Sequence, residues 1–279
     1  MSKTLYISDL DGTLLNPSAE LSDYTKAALN RMIEDGLDFS VATARTAASA
    51  FKILGGVQWR TPLVLMNGVL IYDPAQKRYV QVLPLSAEIA VEVIAALKTL
   101  RVPGLMYQLK DSVQITYYES LEHKPLRDFV EERINRYNKK FTQTDSFSDI
   151  SPDDIIYFTL LDTQENIQHI HDALSMLASI SYFVYKDIYN TDLWYLEIHS
   201  DKASKQNGVA CLRKGYGFER VIGFGDNIND LPLFAACDVR VAVENARPEV
   251  KATADYVCGS YENDGVVKWL EENVLCLKL

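Results

Sequence analysis

The feature that most constrains this chain is a pair of carboxylates at the end of its first apolar run. They belong to the pentapeptide Asp-Leu-Asp-Gly-Thr at positions 9–13, which follows the apolar run at 5–7. Side chains alternate along extended backbone, so Asp9 and Asp11 emerge on one side of a strand, and Gly12 permits a sharp turn. A buried strand cannot hold two such charges without a cation or hydrogen-bond donors, which indicates a metal site. The competing interpretation is an ordinary Asp-Gly turn.

Length and charge limit the classes of partner. A chain of 279 residues, 48% hydrophobic and 24% charged, is typical of a globular protein with two domains or one enlarged domain. Its net charge of -10 disfavours nucleic acid and anionic membranes as partners. An anionic substrate would need a metal ion or a local group of basic side chains to reverse the field. We expect a monomer or a small homo-oligomer.

Cysteine and histidine usage bears on compartment and metal chemistry. The four cysteines, Cys211, Cys237, Cys258 and Cys276, are far apart and form no Cys-x-x-Cys pair, which predicts reduced, mostly buried thiols. The N-terminus lacks a signal-peptide pattern, and no apolar run reaches the roughly 20 residues that span a bilayer, so we expect a cytoplasmic location. The scattered histidines at 123, 169, 171 and 199 are predicted to be surface side chains, which leaves oxygen ligands for a metal.

Strand and helix patterns alternate in the first part of the chain. Ser22 is placed to cap a helix whose apolar side chains recur at helical spacing until Gly36, and a short apolar run at 37–43 follows. Strand, helix and strand form a right-handed crossover, the unit of parallel sheets with helices on both faces. Thr43 then ends the second strand as Asp9 ends the first. The carboxyl ends of such strands are where open α/β sheets build their sites.

The pattern changes after residue 83 and returns later. Hairpins and helices between 84 and 192 are typical of an α+β layer. From residue 193 onward, strands and helices alternate again. We therefore predict an α/β core made of residues 1–83 and 193–279, with residues 84–192 inserted as an α+β domain.

Polar side chains gather at three predicted strand ends and one helix start. Hard oxygen ligands suit Mg²⁺, and acids far apart in sequence have little reason to converge unless a cation holds them. The side chains are Asp9 and Asp11, Thr43, Lys205, and Asp226, Asn229 and Asp230 of the hexapeptide at 225–230.

These motifs, in this order, resemble the four motifs of the haloacid-dehalogenase-like superfamily. The elements are Asp-Leu-Asp-Gly-Thr, Thr43, a lysine that opens a late helix, and Gly-Asp-x-x-Asn-Asp. More narrowly, the chain resembles the Cof-type sugar-phosphatase branch, in which a large cap is inserted between the second and third motifs. The resemblance covers the whole chain and implies a Rossmann-like core with an α+β cap domain.

The resemblance implies a role for each acid. Asp9 would be the nucleophile that attacks phosphorus to give an aspartyl-phosphate, and Asp11 would be the acid/base. The backbone carbonyl of Asp11 and the carboxylate of Asp9 would bind Mg²⁺. Asp226 would complete the metal site, with Asp230 assisting directly or from the outer shell.

The resemblance also implies that Thr43 and Lys205 hold the phosphoryl oxygens. Taken alone, Thr43 could be an ordinary strand-end threonine, and Lys202 is a rival to Lys205. A lysine at a helix N-terminus is unfavourable to the helix dipole, which favours a functional reason for Lys205. Further candidates for phosphate or substrate contact are Arg45, Asn67 and Asn229.

Three positions depart from the family pattern. Ala44 and Asn227 stand where the family commonly has glycine, and Gln206 follows the lysine where glycine is usual. None of these changes removes a reacting group. Asn tolerates left-handed backbone, so we expect the turn at Asn227 to survive, with an altered loop shape near the phosphate.

The predicted function is Mg²⁺-dependent hydrolysis of a small phosphorylated metabolite, in particular a sugar phosphate, by a phosphoric monoester hydrolase. A phosphomutase with the same intermediate, a phospho-accepting signalling switch and a catalytically dead binding protein are the alternatives. Asp11 argues against the switch, because an acid two residues from the phosphorylated aspartate would hasten loss of the phosphoryl group.

Overall fold

The chain forms two compact units. In the computed structural model, which describes residues 3–186 and 192–274, one unit comprises Met1–Gln81 with Ser204–Leu279 and the other comprises Val82–Ala203. The second unit is therefore inserted in the sequence of the first.

The first segment of the first unit follows the predicted crossover. Ser22 caps the first helix, and its Oγ accepts a hydrogen bond from the Thr25 backbone N at 2.9 Å. The elements are β1 (Thr4–Ser8), α1 (Asp23–Glu34), β2 (Asp38–Val41), α2 (Ala47–Ile53), β3 (Leu63–Leu65), β4 (Leu70–Asp73) and β5 (Arg78–Val82).

The second unit is an α+β layer. Its elements are α3 (Ala87–Leu100), β6 (Gly104–Lys110), β7 (Val113–Tyr118), α4 (Lys124–Tyr137), β8 (Thr142–Gln143), β9 (Ile155–Asp162), α5 (Gln164–Leu174), β10 (Ile180–Lys186) and β11 (Trp194–Ser200). The six strands form one sheet in the order β10-β11-β9-β6-β7-β8, and all pairs but β7 with β8 are antiparallel. Apolar side chains of α3 and α5 share one buried core with alternate residues of these strands.

The chain then completes the first unit. Its remaining elements are α6 (Lys205–Tyr216), β12 (Arg220–Gly225), α7 (Leu231–Ala235), β13 (Val239–Val243), α8 (Pro248–Lys251), β14 (Tyr256–Cys258) and α9 (Gly265–Val274). Five strands form a parallel sheet in the order β14-β13-β12-β1-β2, and β3, β4 and β5 form a separate three-stranded sheet. The predicted parallel α/β sheet is confirmed.

Register places three strand ends together. Ser8, the last residue of β1, lies beside Phe224 of β12 and Val41 of β2. Because all three strands run in the same direction, the loops that follow them leave the sheet at the same edge. The backbone N of Asp9 continues the pairing by donating to the Phe224 carbonyl at 3.0 Å.

Two predictions about the second unit are wrong, and both concern β11. The boundary predicted after residue 192 comes too early, because β11 pairs with β9 and β10 in the six-stranded sheet and the second unit extends to Ala203. His199 of β11 is fully buried rather than on the surface. Its ring stacks on Tyr157 of β9 at a centroid distance of 5.4 Å, on the face opposite the core residues Leu196 and Ile198.

The cysteines of the described ranges are free. Cys258 is buried, and Cys211 and Cys237 are half-buried; Cys276 lies outside the described residues. Across residues 3–186 and 192–274, none of the helices has the length and apolar character needed to cross a bilayer.

A buried lysine in the second unit lies against aromatic rings rather than carboxylates. Lys139 is 7% exposed, and its Nζ lies 4.7 Å from the ring centroid of Tyr107 and 4.9 Å from that of Phe141. Within the described part of the chain, no carboxylate forms an ion pair with Lys139. Burial, together with the positive charge of Arg133, lowers the pKa of Lys139 to about 7.

We expect this lysine to make stability depend on pH. Between pH values of about 7 and 10, the unfolded chain binds the lysine proton and the folded chain does not, so the free energy of unfolding rises with pH. Lys139→Met should remove that rise and stabilise the protein at pH 6 by on the order of a few kcal/mol. Urea unfolding at pH 6 and pH 9 measures both effects.

The neighbouring Lys140, which is exposed, provides a matched control. Lys140→Met should keep the rise that the unmodified chain shows. An unchanged rise in Lys139→Met would show that Lys139 is not its source.

Candidate active site

Asp9 is the buried acid that opens the loop after β1. Its backbone is extended, with φ -64° and ψ 165°, and the residue is 5% exposed. The Nζ of Lys205 donates to its Oδ1 at 2.6 Å. Burial, reinforced by the Asp230 carboxylate, raises the pKa of Asp9 well above its usual range, against the opposing effect of Lys205.

Asp9 lies in a cluster with two acids from the loop after β12. Asp9, Asp226 and Asp230 each offer an oxygen within 4.8 Å of the others. Burial and the neighbouring Asp230 raise the pKa of Asp226 to about 7. The fully buried Asp230 accepts from Lys205 Nζ at 2.6 Å through Oδ1. Its Oδ2 accepts from the backbone N atoms of Asp226 at 2.9 Å and Asn227 at 3.1 Å.

Lys205 bridges this cluster from the first residue of α6. The cap residue Ser204 holds that helix end, accepting from the Asn207 backbone N at 2.9 Å. The side chain of Lys205 is fully buried. Burial alone would lower the pKa of Lys205, but Asp230 and Asp9 outweigh it and hold the pKa above its ordinary value. The structure thus brings Lys205 to the acids, whereas Lys202 is exposed.

A tight turn at 10–14 carries further contacts that support the cluster. Gly12 has φ +77°, and a Cβ there would lie 2.6 Å from Asp226 Oδ2. Thr13 Oγ1 donates to the other Asp226 oxygen at 2.7 Å. Asn245, which comes after β13, donates from Nδ2 to the Gly12 carbonyl at 2.7 Å. Sequence reasoning missed Thr13 and Asn245; for Asn245, the only signal was its position just beyond a parallel strand.

Asp11 is not in the acidic cluster, and its carboxylate pairs with Arg45. Arg45 Nε donates to Asp11 Oδ2 at 2.7 Å, and Nη2 donates to Oδ1 at 2.5 Å. The side chain of Asp11 is 31% exposed and that of Arg45 is 14% exposed. The two predicted site residues therefore meet each other, with both carboxylate oxygens of Asp11 engaged.

The remaining predicted residues lie around the same strand ends. Thr43 is buried, and its Oγ1 accepts from the Arg45 backbone N at 3.1 Å. The buried Asn67 donates its backbone N to the Thr43 carbonyl at 2.9 Å. Asn229 follows β12, and among the described residues no group hydrogen-bonds its buried Oδ1.

The turn at Asn227 does not need the conformation that the sequence suggested. Asn227 has φ -124° and ψ 169°, which is extended rather than left-handed backbone. Its side chain caps the next turn by accepting from the Ile228 backbone N at 2.8 Å. A residue other than glycine therefore fits this position without strain.

The donor set fits a hard divalent cation. Three carboxylates and one ammonium leave two negative charges when all are ionised. Among the described residues, the Oδ2 atom of Asp226 accepts no hydrogen bond, so this oxygen remains for a metal ion. Oxygen donors with this excess charge match the preference of Mg²⁺.

We expect Gly12→Ala to weaken Mg²⁺ binding at least tenfold, because the new methyl group would displace the Asp226 carboxylate. Titration calorimetry with Mg²⁺ measures the loss. Gly36→Ala is the matched control: Gly36 also has a left-handed φ, +93°, but a Cβ there meets nothing within 4 Å. That variant should lose only about 1–2 kcal/mol of stability. Equal metal affinity in both variants would contradict the proposed close contact.

Comparisons with known proteins agree with the motifs and the sheet. A family model described as haloacid dehalogenase-like hydrolase matches residues 6–270. Pyridoxal phosphate phosphatase YbhA of Escherichia coli (strain K12) is 22% identical over 99% of this chain and 100% of its own length. The 5-amino-6-(5-phospho-D-ribitylamino)uracil phosphatase YitU of Bacillus subtilis (strain 168) is 25% identical over 95% of each chain.

A solved structure extends the agreement to the fold. The crystal structure of a haloacid dehalogenase-like hydrolase from Bacteroides thetaiotaomicron aligns with a TM-score of 0.82 and 21% identity, over 97% of this chain and 99% of that one. The family resemblance inferred from the motifs is confirmed. The chain belongs to the haloacid dehalogenase-like hydrolases.

Proposed function

We propose that this protein is a Mg²⁺-dependent phosphatase that hydrolyses a small phosphorylated metabolite through an aspartyl-phosphate on Asp9. The observation that supports this proposal most strongly is the hydrogen bonding of the Asp9 carboxylate. Lys205 holds one of its oxygens at 2.6 Å, and in the described part of the chain the other accepts no hydrogen bond. A carboxylate held at one oxygen and open at the other is arranged for nucleophilic attack.

In the first step, Asp9 Oδ2 attacks phosphorus and the bond to the leaving-group oxygen breaks. Asp11 gives a proton to the departing alkoxide. The Thr43 hydroxyl already accepts from the Arg45 backbone N, so its O–H is available to donate to a phosphoryl oxygen. Lys205 uses two of its three N–H donors on Asp9 and Asp230, and the third can meet the same charge.

In the second step, Asp11 takes a proton from water, and the water oxygen attacks phosphorus. The acyl-phosphate bond breaks, inorganic phosphate leaves and Asp9 regains its carboxylate. Covalent catalysis of this kind divides one difficult displacement into two easier ones.

The metal would be held by Asp9, Asp226 and the backbone carbonyl of Asp11, and it would neutralise charge on the phosphoryl group. Asp230 supports the site without binding the metal, because both of its oxygens already accept hydrogen bonds. It orients Lys205 and the loop that carries Asp226. This division makes Asp226 the ligand and Asp230 its support.

The proposed substrates are phosphate monoesters of small metabolites, with sugar phosphates first. The two curated relatives support this class, because both are named as phosphatases of small organic phosphates. We also propose a cytoplasmic location, since the described cysteines are free thiols and oxidising compartments favour disulfides.

Asp9→Asn should abolish hydrolysis, by roughly 10⁴-fold or more, because it removes the nucleophile. The assay is phosphate release, with Mg²⁺, from p-nitrophenyl phosphate, sugar phosphates, pyridoxal phosphate and 5-amino-6-(5-phospho-D-ribitylamino)uracil. Asp23→Asn, which changes an exposed acid of α1, is the control and should leave the rate unchanged.

Product analysis separates the phosphatase from a mutase. The proposal expects free phosphate in amounts equal to the substrate consumed. An unmodified chain that is inactive across the panel, or that yields isomerised sugar phosphate without free phosphate, would overturn it.

Asp11→Asn should retain metal and substrate binding at least as tight as that of the unmodified chain, while turnover falls by about 10²–10⁴-fold, because general acid/base catalysis contributes that much. Titration calorimetry measures binding, and steady-state kinetics measures kcat. Unchanged activity in this variant would refute the assigned role.

A further inference from the structure

Arg45 and Asp11 form a fork-to-fork ion pair in the proposed active site. Nε and Nη2 of Arg45 each donate to a different oxygen of Asp11, at 2.7 and 2.5 Å. The loop after β2 holds Arg45 at this position, because its backbone N donates to Thr43 Oγ1 and its carbonyl accepts from the Met66 backbone N. The pair is thus part of the same strand-end constellation as the acids.

The pair conflicts with the work proposed for Asp11. A carboxylate that accepts from a guanidinium through both oxygens is fixed in direction as well as balanced in charge. Proton exchange with a leaving group or a water needs one of those oxygens to turn toward the reacting atoms. The observed arrangement therefore suits the enzyme before its substrate binds.

A phosphate ester would supply a better partner for the guanidinium. Guanidinium groups bind phosphate bidentately, as they bind carboxylate, and a phosphate monoester carries more negative charge than one carboxylate. The neighbouring Thr43, whose hydroxyl is proposed to donate to a phosphoryl oxygen, lies two residues before Arg45 and contacts its backbone. A phosphoryl group bound by the Thr43 hydroxyl would therefore lie close to Arg45.

We propose that Arg45 exchanges partners when substrate binds, leaving Asp11 for a phosphoryl oxygen. The exchange keeps the guanidinium paired in both states. It also frees the Asp11 oxygens only once a phosphoryl group is in place, so Arg45 is a positioning residue for the acid/base. This inference rests on the proposed phosphatase function.

A static pair is the alternative, and a double-mutant cycle on phosphate binding separates the two. If Arg45 leaves Asp11, bound phosphate must break the pair and then lie beside an unpaired carboxylate. When Arg45 is present, Asp11→Asn removes both the cost of breaking the ion pair and the repulsion between Asp11 and phosphate. When Arg45 is absent, Asp11→Asn removes only the repulsion. If Arg45 stays on Asp11, the guanidinium screens the repulsion, and Asp11→Asn helps more in the chain without Arg45.

The experiment is titration calorimetry of inorganic phosphate, with Mg²⁺, into the unmodified chain, Asp11→Asn, Arg45→Met and the double variant. We expect Asp11→Asn to tighten phosphate binding about tenfold more with Arg45 present than in the Arg45→Met background. Equal tightening in the two backgrounds, or greater tightening without Arg45, would overturn the exchange.

Two further variants keep the result interpretable. Arg45→Lys keeps the positive charge but loses the bidentate geometry of the guanidinium. The extra tightening of phosphate binding by Asp11→Asn should therefore be smaller than with Arg45 but still present. Arg60→Met removes a cation of the same unit whose guanidinium donates to the Ile33 carbonyl, and it should leave phosphate affinity unchanged.

The proposed function can fail separately. An unmodified chain that neither hydrolyses phosphate esters nor binds phosphate overturns the phosphatase assignment and the exchange together. If the unmodified chain hydrolyses phosphate esters but Asp11→Asn tightens phosphate binding equally or more without Arg45, only the exchange is overturned.

Discussion

The first unit depends on one buried ammonium, that of Lys205, held between the carboxylates of Asp9 and Asp230. A buried charge is costly unless it is paired, and removing one partner of such a pair costs about 3–5 kcal/mol. The two ion pairs of Lys205 connect the start of α6 to the end of β1, through Asp9, and to the loop after β12, through Asp230. Gly68 adds to this constraint, because a Cβ there would lie 2.2 Å from the Ser204 carbonyl oxygen. The lysine therefore has one position, and the acids are arranged around it.

Hydrogen bonds divide the acids into different roles. Asp230 has both oxygens occupied by donors, and Asp226 has one oxygen held by Thr13. Asp9 likewise has one oxygen held, by Lys205. Within residues 3–186 and 192–274, one oxygen of Asp9 and one of Asp226 thus accept no hydrogen bond, and these are the proposed nucleophile and metal ligand. The pKa values of these two acids are raised first by burial and then by the neighbouring Asp230 carboxylate, and a bound divalent cation would offset both effects.

Much of the site could be predicted because parallel strands bring their carboxyl ends to one edge. Asp9, Thr43 and Asp226 were placed by strand order alone, and Ser22 and Ser204 marked helix starts by ordinary capping chemistry. The sheet that β11 joins could not be predicted, because an apolar alternation indicates a half-buried strand but not its partner. The burial of His199 was missed for the same reason. The Arg45–Asp11 pair and the Asn245 contact depend on how loops converge, which residue spacing does not specify.

The proposed function requires that Asp9 becomes phosphorylated during turnover. Chemical trapping in Asp11→Asn tests this step directly. The substrate is p-nitrophenyl phosphate, whose leaving group needs little help from an acid. Hydrolysis of the acyl-phosphate lacks its base in this variant, so the intermediate should accumulate. Acid quench, borohydride reduction and peptide mass spectrometry would then locate the acyl-phosphate. We expect reduction of the side chain at position 9 and no such reduction in Asp9→Asn. Reduction at another acid, or no trapped species while phosphate is still released, would contradict the proposed function.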